Sequence, residues 1–320
     1  MQEIQIAANE AGQRLDKLLA KYLSEAPKSF LYKMLRKKNI VLNGKKASGN
    51  EKLVAGDSVK LFLSDETIQK FSKEITVCKS NAKLDILYED DDILLVNKPA
   101  GMLSQKAEAK DISLVEHLIS YLLESGQLTR ENLKSFKPSI CNRLDRNTSG
   151  LVVCGKSLKG LQTMGQLFKE RTLKKYYRCI VAGNVTEKQY VKGYLIKDEK
   201  KNQVTVSDTY FPESQEIETE YRPIQQLKQG TLLEVHLITG KTHQIRAHLA
   251  SRGHAIIGDY KYGSREINDR YKKEYQLSHQ LLHAYRLEMP KTKELPQLSE
   301  KMFVAPLPKQ FQKIIEGESR

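Results

Sequence analysis

No apolar run in this sequence approaches the ~18 residues that a membrane-spanning helix requires. The N-terminus, MQEIQ, also lacks the basic segment followed by an apolar segment that marks a secretory signal peptide. From these two absences we expect no membrane association and a cytoplasmic location.

Cysteine is scarce, and its spacing is more informative than its number. The four cysteines lie far apart without a CxxC pair, at Cys78, Cys141, Cys154 and Cys179. Disulfide frameworks and zinc sites usually show paired or regularly spaced cysteines. We therefore predict reduced thiols and no cysteine-ligated metal.

Acidic residues are outnumbered by basic ones, 39 against 53, which gives a formal net charge of +14. Such an excess favours a polyanionic partner such as nucleic acid, although it does not indicate a fold. Between residues 26 and 50 there is no acidic side chain at all. This segment holds half of the net charge, in Lys28, Lys33, Arg36, Lys37, Lys38, Lys45 and Lys46. Because a solvated surface normally mixes both signs, we interpret the segment as a nucleic-acid-binding face.

The length of 320 residues predicts two domains, since a domain usually has ~100 to 200 residues. A polar, poorly periodic stretch between residues 64 and 83 indicates a linker. We place the small domain at residues 1–75 and the large domain at residues 84–320. In the large domain many strand-like segments are interspersed with a few helices, without a regular βαβ repeat. This pattern predicts an α+β fold around a mixed sheet.

Periodicity in the small domain predicts two helices joined to a small sheet. Apolar residues at spacings of three and four form one face of a helix over residues 14–23, and a second helix begins at Pro27. The strand at residues 40–42 is followed by Asn43-Gly44, a strong signal for a tight hairpin turn, and then by another strand. These elements predict a compact basic unit.

One stretch of the large domain combines charge, a turn and an apolar run. It extends from Cys141 to Val153 (CNRLDRNTSGLVV) and places Asp145 between Arg143 and Arg146. Nearby cations favour the ionised carboxylate, and the Asn-Thr-Ser-Gly turn can bend back against the strand that follows. An isolated aspartate in a turn is usually solvated or hydrogen-bonded to its own backbone. Asp145 is therefore a candidate catalytic residue only if other parts of the chain support it.

Three patterns point to other chemistry but are weak. Residues 150–157 (GLVVCGKS) match the written P-loop pattern, yet Leu-Val-Val-Cys favours a strand over a phosphate-binding loop. We interpret the acidic run at residues 89–92 as a solvated loop and not as a metal site, since no second ligand cluster accompanies it. His243 and His248 are five residues apart, so on a helix they would diverge by ~140° and could not chelate one zinc ion.

The small domain resembles an S4-type RNA-binding domain. The resemblance is carried by residues 14–19 (RLDKLL), 28–37 (KSFLYKMLRK) and 41–45 (VLNGK). It implies RNA as the ligand, with basic side chains that supply affinity for phosphates but carry little sequence information. The phosphate contacts expected from this resemblance are Arg14, Lys28, Lys33, Arg36 and Lys37.

The large domain resembles the catalytic domain of RluA-type pseudouridine synthases, which isomerise uridine to pseudouridine in rRNA and tRNA. The motifs, in order, are NKPAG at residues 97–101, RLDRNTSGL at 143–151, KYY at 175–177, GKTHQIRAHL at 240–249, GDYKYG at 258–263 and LHA at 282–284. The resemblance extends from residue 84 to residue 310. Together with the S4-like domain it resembles the RluC/RluD subgroup, which acts on large-subunit rRNA, and within that subgroup it is more similar to RluC.

The reaction that this resemblance implies exchanges an N-glycosidic bond for a C-glycosidic bond. It is redox-neutral and transfers no external group, so we expect no nucleotide, metal or organic cofactor. A single ionised carboxylate could attack the sugar or the base, or remove a sugar proton. The sequence does not distinguish these three routes.

The resemblance also implies roles for individual residues. Asp145 would be the catalytic carboxylate, and Arg246 would pair with it, keep it oriented and ionised, and help to displace the base. Tyr177 would stack on the uracil and could take the C5 proton. Arg143 and Arg146 would contact phosphates. Without the resemblance, Arg246 could equally be a surface helix residue and Tyr177 a core aromatic.

One departure from the family pattern is Asn142, which stands where a histidine usually precedes the Arg-Leu-Asp segment. An amide can hydrogen-bond but cannot titrate near neutral pH, so a role for a protonated imidazole at this position is in doubt.

Two other functions stay open from sequence alone. The first is a non-catalytic RNA-binding or ribosome-assembly factor, against which the joint presence of Asp145, Tyr177 and Arg246 argues. The second is a P-loop NTPase, against which the strand-like residues 150–157 argue. We expect a monomer that binds rRNA.

Overall fold

The computed structural model describes residues 1–8, 10–73, 83–200 and 202–319, and contains two separate β-sheets. The elements around the first sheet are β1 (Gln2–Gln5), α1 (Leu15–Tyr22), α2 (Lys28–Arg36), β2 (Ile40–Leu42), β3 (Lys45–Lys46), β4 (Ser58–Leu61) and α3 (Asp65–Phe71). The strands pair in the order β1-β4-β2-β3, all antiparallel.

The N-terminal unit, residues 1–73, has its own hydrophobic core. Helix α1 buries Leu15, Leu18 and Leu19, which are spaced along one face as the periodicity predicted. The predicted turn between β2 and β3 is present: Asn43 and Gly44 have φ values of 50° and 72°, as a two-residue hairpin turn requires. The predicted helices and hairpin are thereby confirmed.

The linker prediction for residues 64–83 is wrong at its start, because α3 (Asp65–Phe71) is a helix of the N-terminal unit. Ser64 caps it by accepting a hydrogen bond from the Thr67 N–H, and Ile68 enters the small core. The Phe71 ring packs against Phe30 at a centroid distance of 4.6 Å. A helix of seven residues, about two turns, is too short to give a clear periodic signal. The rest of the predicted linker, residues 74–82, and with it Cys78, lies outside the described residues.

The second unit is built from the remaining elements. In chain order they are β5 (Ile86–Glu89), β6 (Ile93–Lys98), α4 (Leu114–Glu124), α5 (Asn132–Ser135), β7 (Ser139–Ile140), β8 (Ser149–Gly155), α6 (Leu158–Glu170), β9 (Lys174–Ala182), β10 (Gln189–Asp198), β11 (Gln203–Ser207), β12 (Gln215–Gln226), β13 (Gly230–Leu237), α7 (Gln244–Ser251), α8 (Arg265–Tyr275), β14 (Leu282–Glu288), β15 (Met302–Val304) and α9 (Lys309–Glu318). A short 3-10 helix lies at Pro296–Leu298.

The eleven strands of this unit form one sheet in the order β11-β10-β12-β13-β9-β14-β8-β6-β5, with β15 beside β14 and β7 beside β8. Strands β14 and β8 are parallel, whereas the other strand pairs of the described residues are antiparallel. The α+β fold around a mixed sheet is therefore confirmed.

Two successive residues of β9 show that helices pack on both faces of the sheet. Cys179 belongs to the main core, which contains side chains of α4, α6 and α7. Its neighbour Ile180 belongs to a second core with Tyr271 of α8 and Phe311 of α9. Because successive side chains of a strand point to opposite faces, helices cover both faces of the sheet here. Among the described residues, no helix is long and apolar enough to cross a membrane.

Strands β8 and β14 approach each other unusually closely. Gly150 has a φ of 110°, and a Cβ there would lie 2.2 Å from the Ala284 carbonyl oxygen. One residue earlier, the Ser149 hydroxyl lies 2.8 Å from Nδ1 of His283. Nε2 of His283 lies 3.2 Å from the Ala305 carbonyl, which can only accept, so Nδ1 accepts from Ser149. This close contact between β8 and β14 fixes the start of β8, directly after the turn that contains Asp145.

The P-loop-like segment is a strand, as predicted from its apolar residues. All seven residues of β8 are buried, and Ser157 caps α6 by accepting from the Gly160 N–H at 2.9 Å. Nζ of Lys156 donates to Glu89 at 2.7 Å. Lys156, whose counterpart in a P-loop would bind phosphate, therefore forms an ion pair with Glu89 here.

The interpretation of residues 89–92 as a solvated loop needs correction. Glu89 pairs with Lys156, and the Asp90 carboxylate accepts from the N–H groups of Asp92 and Ile93 at 2.8 and 2.7 Å. Only Asp91 of the four acids is exposed. The carboxylates organise the β5–β6 turn because they satisfy backbone donors that would otherwise lack partners.

Candidate active site

Asp145 lies in the turn between β7 and β8, with a side chain 27% exposed. Its carbonyl accepts from the Thr148 N–H at 3.0 Å, which closes the turn. The residue before it, Leu144, is buried, and both its N–H (3.0 Å) and its carbonyl (2.7 Å) bind the Ser104 hydroxyl. Hydrogen bonds therefore fix the backbone both before and after Asp145, and with it the position of the carboxylate.

Lys98, at the end of β6, holds the other side of this turn. Its side chain is almost fully buried, and Nζ donates to the carbonyls of Pro99, Met102 and Arg146 at 3.0, 2.9 and 3.1 Å. The Gly101 N–H also donates to the Arg146 carbonyl, at 2.8 Å. Burial lowers the pKa of Lys98 to about 8, against the opposing effect of the Asp145 charge. The NKPAG motif thus fixes the turn that contains Asp145.

Arg246 of α7 lies between two carboxylates. Its Nη1 donates to Asp145 Oδ2 at 2.9 Å, while Nε and Nη2 donate to the two oxygens of Asp259 at 2.7 and 3.0 Å. Burial alone would lower the pKa of Arg246, but the hydrogen bonds and charge of Asp259, together with those of Asp145, raise it above its ordinary value. The bidentate contact with Asp259 fixes the guanidinium plane and leaves one edge for Asp145.

A buried glutamine explains why α7 begins where it does. The Gln244 side-chain oxygen accepts from the Thr239 hydroxyl (2.8 Å) and the Lys241 N–H (3.0 Å). Its side-chain nitrogen donates to the Glu218 carbonyl (3.0 Å) and lies 3.1 Å from the Thr219 hydroxyl. A fully satisfied buried amide specifies a single local geometry. It thereby sets the first turn of α7 and the position of Arg246.

Tyr177 of β9 is buried and lines the same cavity as Asp145. Burial raises the pKa of its hydroxyl well above the ordinary value, and the Asp145 charge adds to this effect. The phenol is therefore protonated at neutral pH. The structure thus brings together the three predicted catalytic residues, which lie far apart in sequence.

Asn142 forms hydrogen bonds to the strand beside it. Its Oδ1 accepts from the Val153 N–H at 2.8 Å, and its Nδ2 lies 3.3 Å from the Leu151 carbonyl. The amide therefore fastens the chain before Asp145 to β8. This contact needs one donor and one acceptor but no titrating group, so asparagine is suited to it.

A cavity of about 830 Å³ opens in front of Asp145. This volume lies within the range of ~300–1,000 Å³ that is usual for small-ligand sites. Basic side chains that line it are Lys106, Arg143, Arg146, Arg171, Lys175, Lys197, Lys241 and Arg246. Burial, with the charge of Arg171 in addition, lowers the pKa of Lys175 to about 8. Such a desolvated ammonium group gains more than an exposed one from an anionic ligand.

The predicted RNA-binding residues are all accessible. Arg143 and Arg146 are exposed at the cavity, and Nε of Arg146 donates to the Gly101 carbonyl at 3.1 Å. On α2 and its C-terminal end, the predicted residues Lys28, Lys33, Arg36 and Lys37 are exposed. Arg14 differs from them, because it binds Asp16 through Nε and Nη2 at 3.0 and 2.8 Å.

The two histidines considered as zinc ligands have different surroundings. Nδ1 of His243 lies 2.9 Å from the Tyr262 hydroxyl, and Nδ1 of His248 lies 2.9 Å from the Thr219 hydroxyl. Within residues 1–8, 10–73, 83–200 and 202–319, no group of three His, Cys, Asp or Glu side chains is arranged to hold a metal ion.

Lys98 and Asp259 were not among the predicted site residues, although both lie in quoted motifs, NKPAG and GDYKYG. Asp259 is 1% exposed and contacts Arg246, which only the folded chain reveals. The sequence did contain both motifs in the order expected for the family. A motif in a sequence does not, however, indicate which other residue each of its side chains contacts.

Comparisons with known proteins show the family to which the chain is related. The family model described as RNA pseudouridylate synthase matches residues 92–251. The Ribosomal large subunit pseudouridine synthase C of Vibrio vulnificus is 31% identical over 99% of this chain and 96% of its own length. An uncharacterized RNA pseudouridine synthase of Mycoplasma genitalium is 32% identical over 87% of this chain and 86% of its own. The solved structure of human RNA Pseudouridylate Synthase Domain Containing 4 has the same fold, with a TM-score of 0.57 at 23% identity, covering 72% of this chain and 91% of its own.

Proposed function

The chain belongs to the RluA-type family of RNA pseudouridylate synthases, and we propose that it isomerises uridines of large-subunit rRNA with Asp145 as the catalytic carboxylate. The observation that carries this proposal is the ion pair between Asp145 and Arg246, 2.9 Å long, at the base of a basic cavity. The names of its curated relatives support large-subunit rRNA as the substrate. We expect it to act in the cytoplasm, as a monomer.

In this proposal Asp145 reacts as an ionised carboxylate. Arg246 binds one oxygen, Oδ2, which leaves Oδ1 available to the substrate. A carboxylate held in this way is suited to attack the sugar or the base, or to remove a sugar proton. All three routes use Asp145 as the reacting group. The assignment of Asp145 therefore does not depend on which route the reaction follows.

Tyr177 would provide the surface on which the uracil stacks. An aromatic ring that is buried around its hydroxyl end offers a rigid platform next to the reacting group. Because the hydroxyl is protonated, it could accept the C5 proton only by passing its own proton onward. Asp145, whose charge acts on this hydroxyl, is the carboxylate that could receive it.

The target base must leave its stack to reach Asp145, at a cost of a few kcal/mol. The basic rim of the cavity, including Arg143 and Arg146, would offset this cost through phosphate contacts. We further propose that the N-terminal unit is an S4-type RNA-binding domain. Its support is the exposed basic face of α2 and the order of its elements.

The test is release of tritium from C5-labelled uridine in a transcript of large-subunit rRNA. Wild-type protein should release tritium in proportion to the pseudouridine formed, whereas Asp145→Asn should release none above background. Asp145→Asn keeps the size of the side chain and removes its charge. If wild type releases no more than this variant, with both proteins bound to the transcript, the chain is a binding factor and not an enzyme.

A further inference from the structure

We propose that His243 is a positioning residue for Asp145, and that Tyr262 holds its imidazole in the tautomer that directs an N–H toward the carboxylate. The inference rests on the proposed function, because it takes Asp145 as the reacting group. His243 lies between Thr242 and Gln244 in the GKTHQIRAHL motif, and none of the roles described above uses it.

The backbone at His243 is held in an unusual conformation. His243 precedes α7 with a φ of 52° and a ψ of 16°, in the left-handed region. Such a conformation is costly for most residues with a side chain, and it persists where the surroundings fix it. Here the hydrogen bonds of Gln244 fix the next residue, and the Ala247 N–H donates to the His243 carbonyl at 2.9 Å. The imidazole is thereby directed into the cavity, where its side chain is 8% exposed.

The tautomer of His243 follows from the partners of Tyr262. The Val204 N–H of β11 donates to the Tyr262 oxygen at 2.9 Å, so the hydroxyl proton is free to donate elsewhere. Nδ1 of His243 lies 2.9 Å from the same oxygen and can accept it. Burial raises the pKa of Tyr262, so the hydroxyl keeps its proton. Nδ1 is then the acceptor, and the ring proton is on Nε2.

Nε2 of His243 faces the catalytic carboxylate, 3.8 Å from Asp145 Oδ2. This distance is too long for a hydrogen bond in the free protein, but catalytic contacts commonly tighten when substrate binds. The opposite tautomer would place a lone pair against the carboxylate, which is unfavourable. An N–H in this position would provide Asp145 with a second donor beside Arg246.

The imidazole is neutral near pH 7, so it acts as a dipolar donor and not as a cation. Burial lowers the pKa of His243, and the charges of Arg246 and Lys261 lower it further, while those of Asp145 and Asp259 oppose the shift. A neutral donor orients Asp145 without adding another full positive charge beside Arg246. When the contact tightens on substrate binding, such a donor fixes the carboxylate while leaving it reactive.

The same contacts connect the catalytic turn to the β10–β11 hairpin. Besides the Val204 bond, Nζ of Lys261 donates to the Asn202 carbonyl at 2.7 Å. Asn202 and Lys197 of this hairpin line the cavity. The position of His243 therefore depends on the hairpin through Tyr262.

Two matched variants separate the donor role from folding. His243→Asn tolerates the left-handed backbone and can accept from Tyr262, but it is too short to reach Asp145. His243→Gln places an amide N–H near the position of Nε2. Single-turnover tritium release with excess enzyme should be about tenfold slower for His243→Asn, with the half-saturating enzyme concentration unchanged, and within about threefold of wild type for His243→Gln.

Nuclear magnetic resonance of ¹⁵N-histidine-labelled protein gives an independent measurement at pH 7.5. We expect the His243 ring, identified by its loss in His243→Asn, to show a protonated Nε2 and an unprotonated Nδ1. Tyr262→Phe, which keeps the ring beside Arg246, should give a mixture of both tautomers. A protonated Nδ1 in wild type, or equal rates for His243→Asn and wild type, would overturn the proposal. Asp145→Asn distinguishes failure of this inference from failure of the proposed function. If Asp145→Asn is inactive while His243→Asn is fully active, the role of His243 is wrong and the role of Asp145 stands.

Discussion

At the scale of single residues, the site is a set of charges fixed by buried partners. Asp145 is oriented by Arg246, and Arg246 is in turn fixed by Asp259, which also accepts from the N–H groups of Lys261 and Tyr262 at 3.0 and 3.3 Å. The carboxylate of Asp259 therefore joins its own turn to α7. Such an arrangement is preorganised: the orientation of Asp145 is set before RNA arrives.

Asp259→Asn should destabilise the protein by about 3 kcal/mol, because it leaves the buried Arg246 guanidinium without the charge of its bidentate partner. The free energy of unfolding in urea is the measurement. Asp269→Asn is the matched control: Asp269 lies 3.7 Å from the exposed Arg265, and its loss should change stability by less than about 0.5 kcal/mol. Equal stability of Asp259→Asn and the control would contradict the structural role given to Asp259.

Tyr177→Phe should bind the rRNA transcript as tightly as wild type, since the ring that stacks on the base is retained. Without the hydroxyl, the step that removes the C5 proton should slow by about a hundredfold. Binding can be measured by filter retention and the step by single-turnover tritium release. Release at the wild-type rate would show that the ring alone is required.

At the scale of elements, the turn that contains Asp145 is supported by the close approach of β8 and β14 and by the NKPAG segment at the end of β6. The sequence predicted β8 correctly from its apolar run, and helices α1 and α2 from their periodicity, because these signals are local. It did not predict that Lys98 would bind the Arg146 carbonyl or that Asp259 would bind Arg246. Those contacts join segments that are 48 and 13 residues apart, so they follow from the packing of the sheet. Helix α3 was missed because a short helix carries too few residues for a period to be recognised.

Gly150→Ala tests whether the fold requires the close approach of β8 and β14. The new Cβ would lie 2.2 Å from the Ala284 carbonyl oxygen, on a backbone with φ at 110°, so β8 and β14 must separate. We expect a loss of stability of about 3 kcal/mol or more, measured by thermal or urea unfolding.

Gly165→Ala is the control for this substitution. Gly165 lies within α6, and a Cβ there would meet nothing within 4 Å. Alanine is favoured over glycine inside a helix, so this variant should be neutral or up to about 1 kcal/mol more stable. A Gly150→Ala protein as stable as this control would show that the strands do not require the close approach.

At the scale of the whole molecule, the chain folds into two units with separate hydrophobic cores. The N-terminal unit presents the basic face of α2, and the second unit presents the cavity with Asp145. The units touch at α5, where the Ser135 hydroxyl donates to the buried Glu10 carboxylate and Nζ of Lys134 lies 5.8 Å from the Tyr22 ring centre. The basic excess seen in the sequence is thus distributed between the exposed face of α2 and the rim of the cavity that contains Asp145.

Replacing Lys33 and Arg36 together by alanine should weaken rRNA binding and reduce its salt dependence. Each phosphate contact contributes about 0.7 to 0.9 to the slope of log K against log salt concentration, so the slope should fall by about 1.5. The rate of the bound complex should not change, because neither residue lines the cavity. Lys272→Ala, on the exposed face of α8, serves as the control. An unchanged slope in the double variant would remove α2 from the RNA-binding surface.

The central claim is that Asp145 isomerises uridines in large-subunit rRNA. The most direct measurement maps pseudouridines in that rRNA from a strain lacking this gene and complemented with wild type or with Asp145→Asn. We predict that specific pseudouridines disappear in the deletion strain, return with wild type and stay absent with Asp145→Asn at equal protein levels. Return of the same modifications with Asp145→Asn, or their persistence in the deletion strain, would contradict the account.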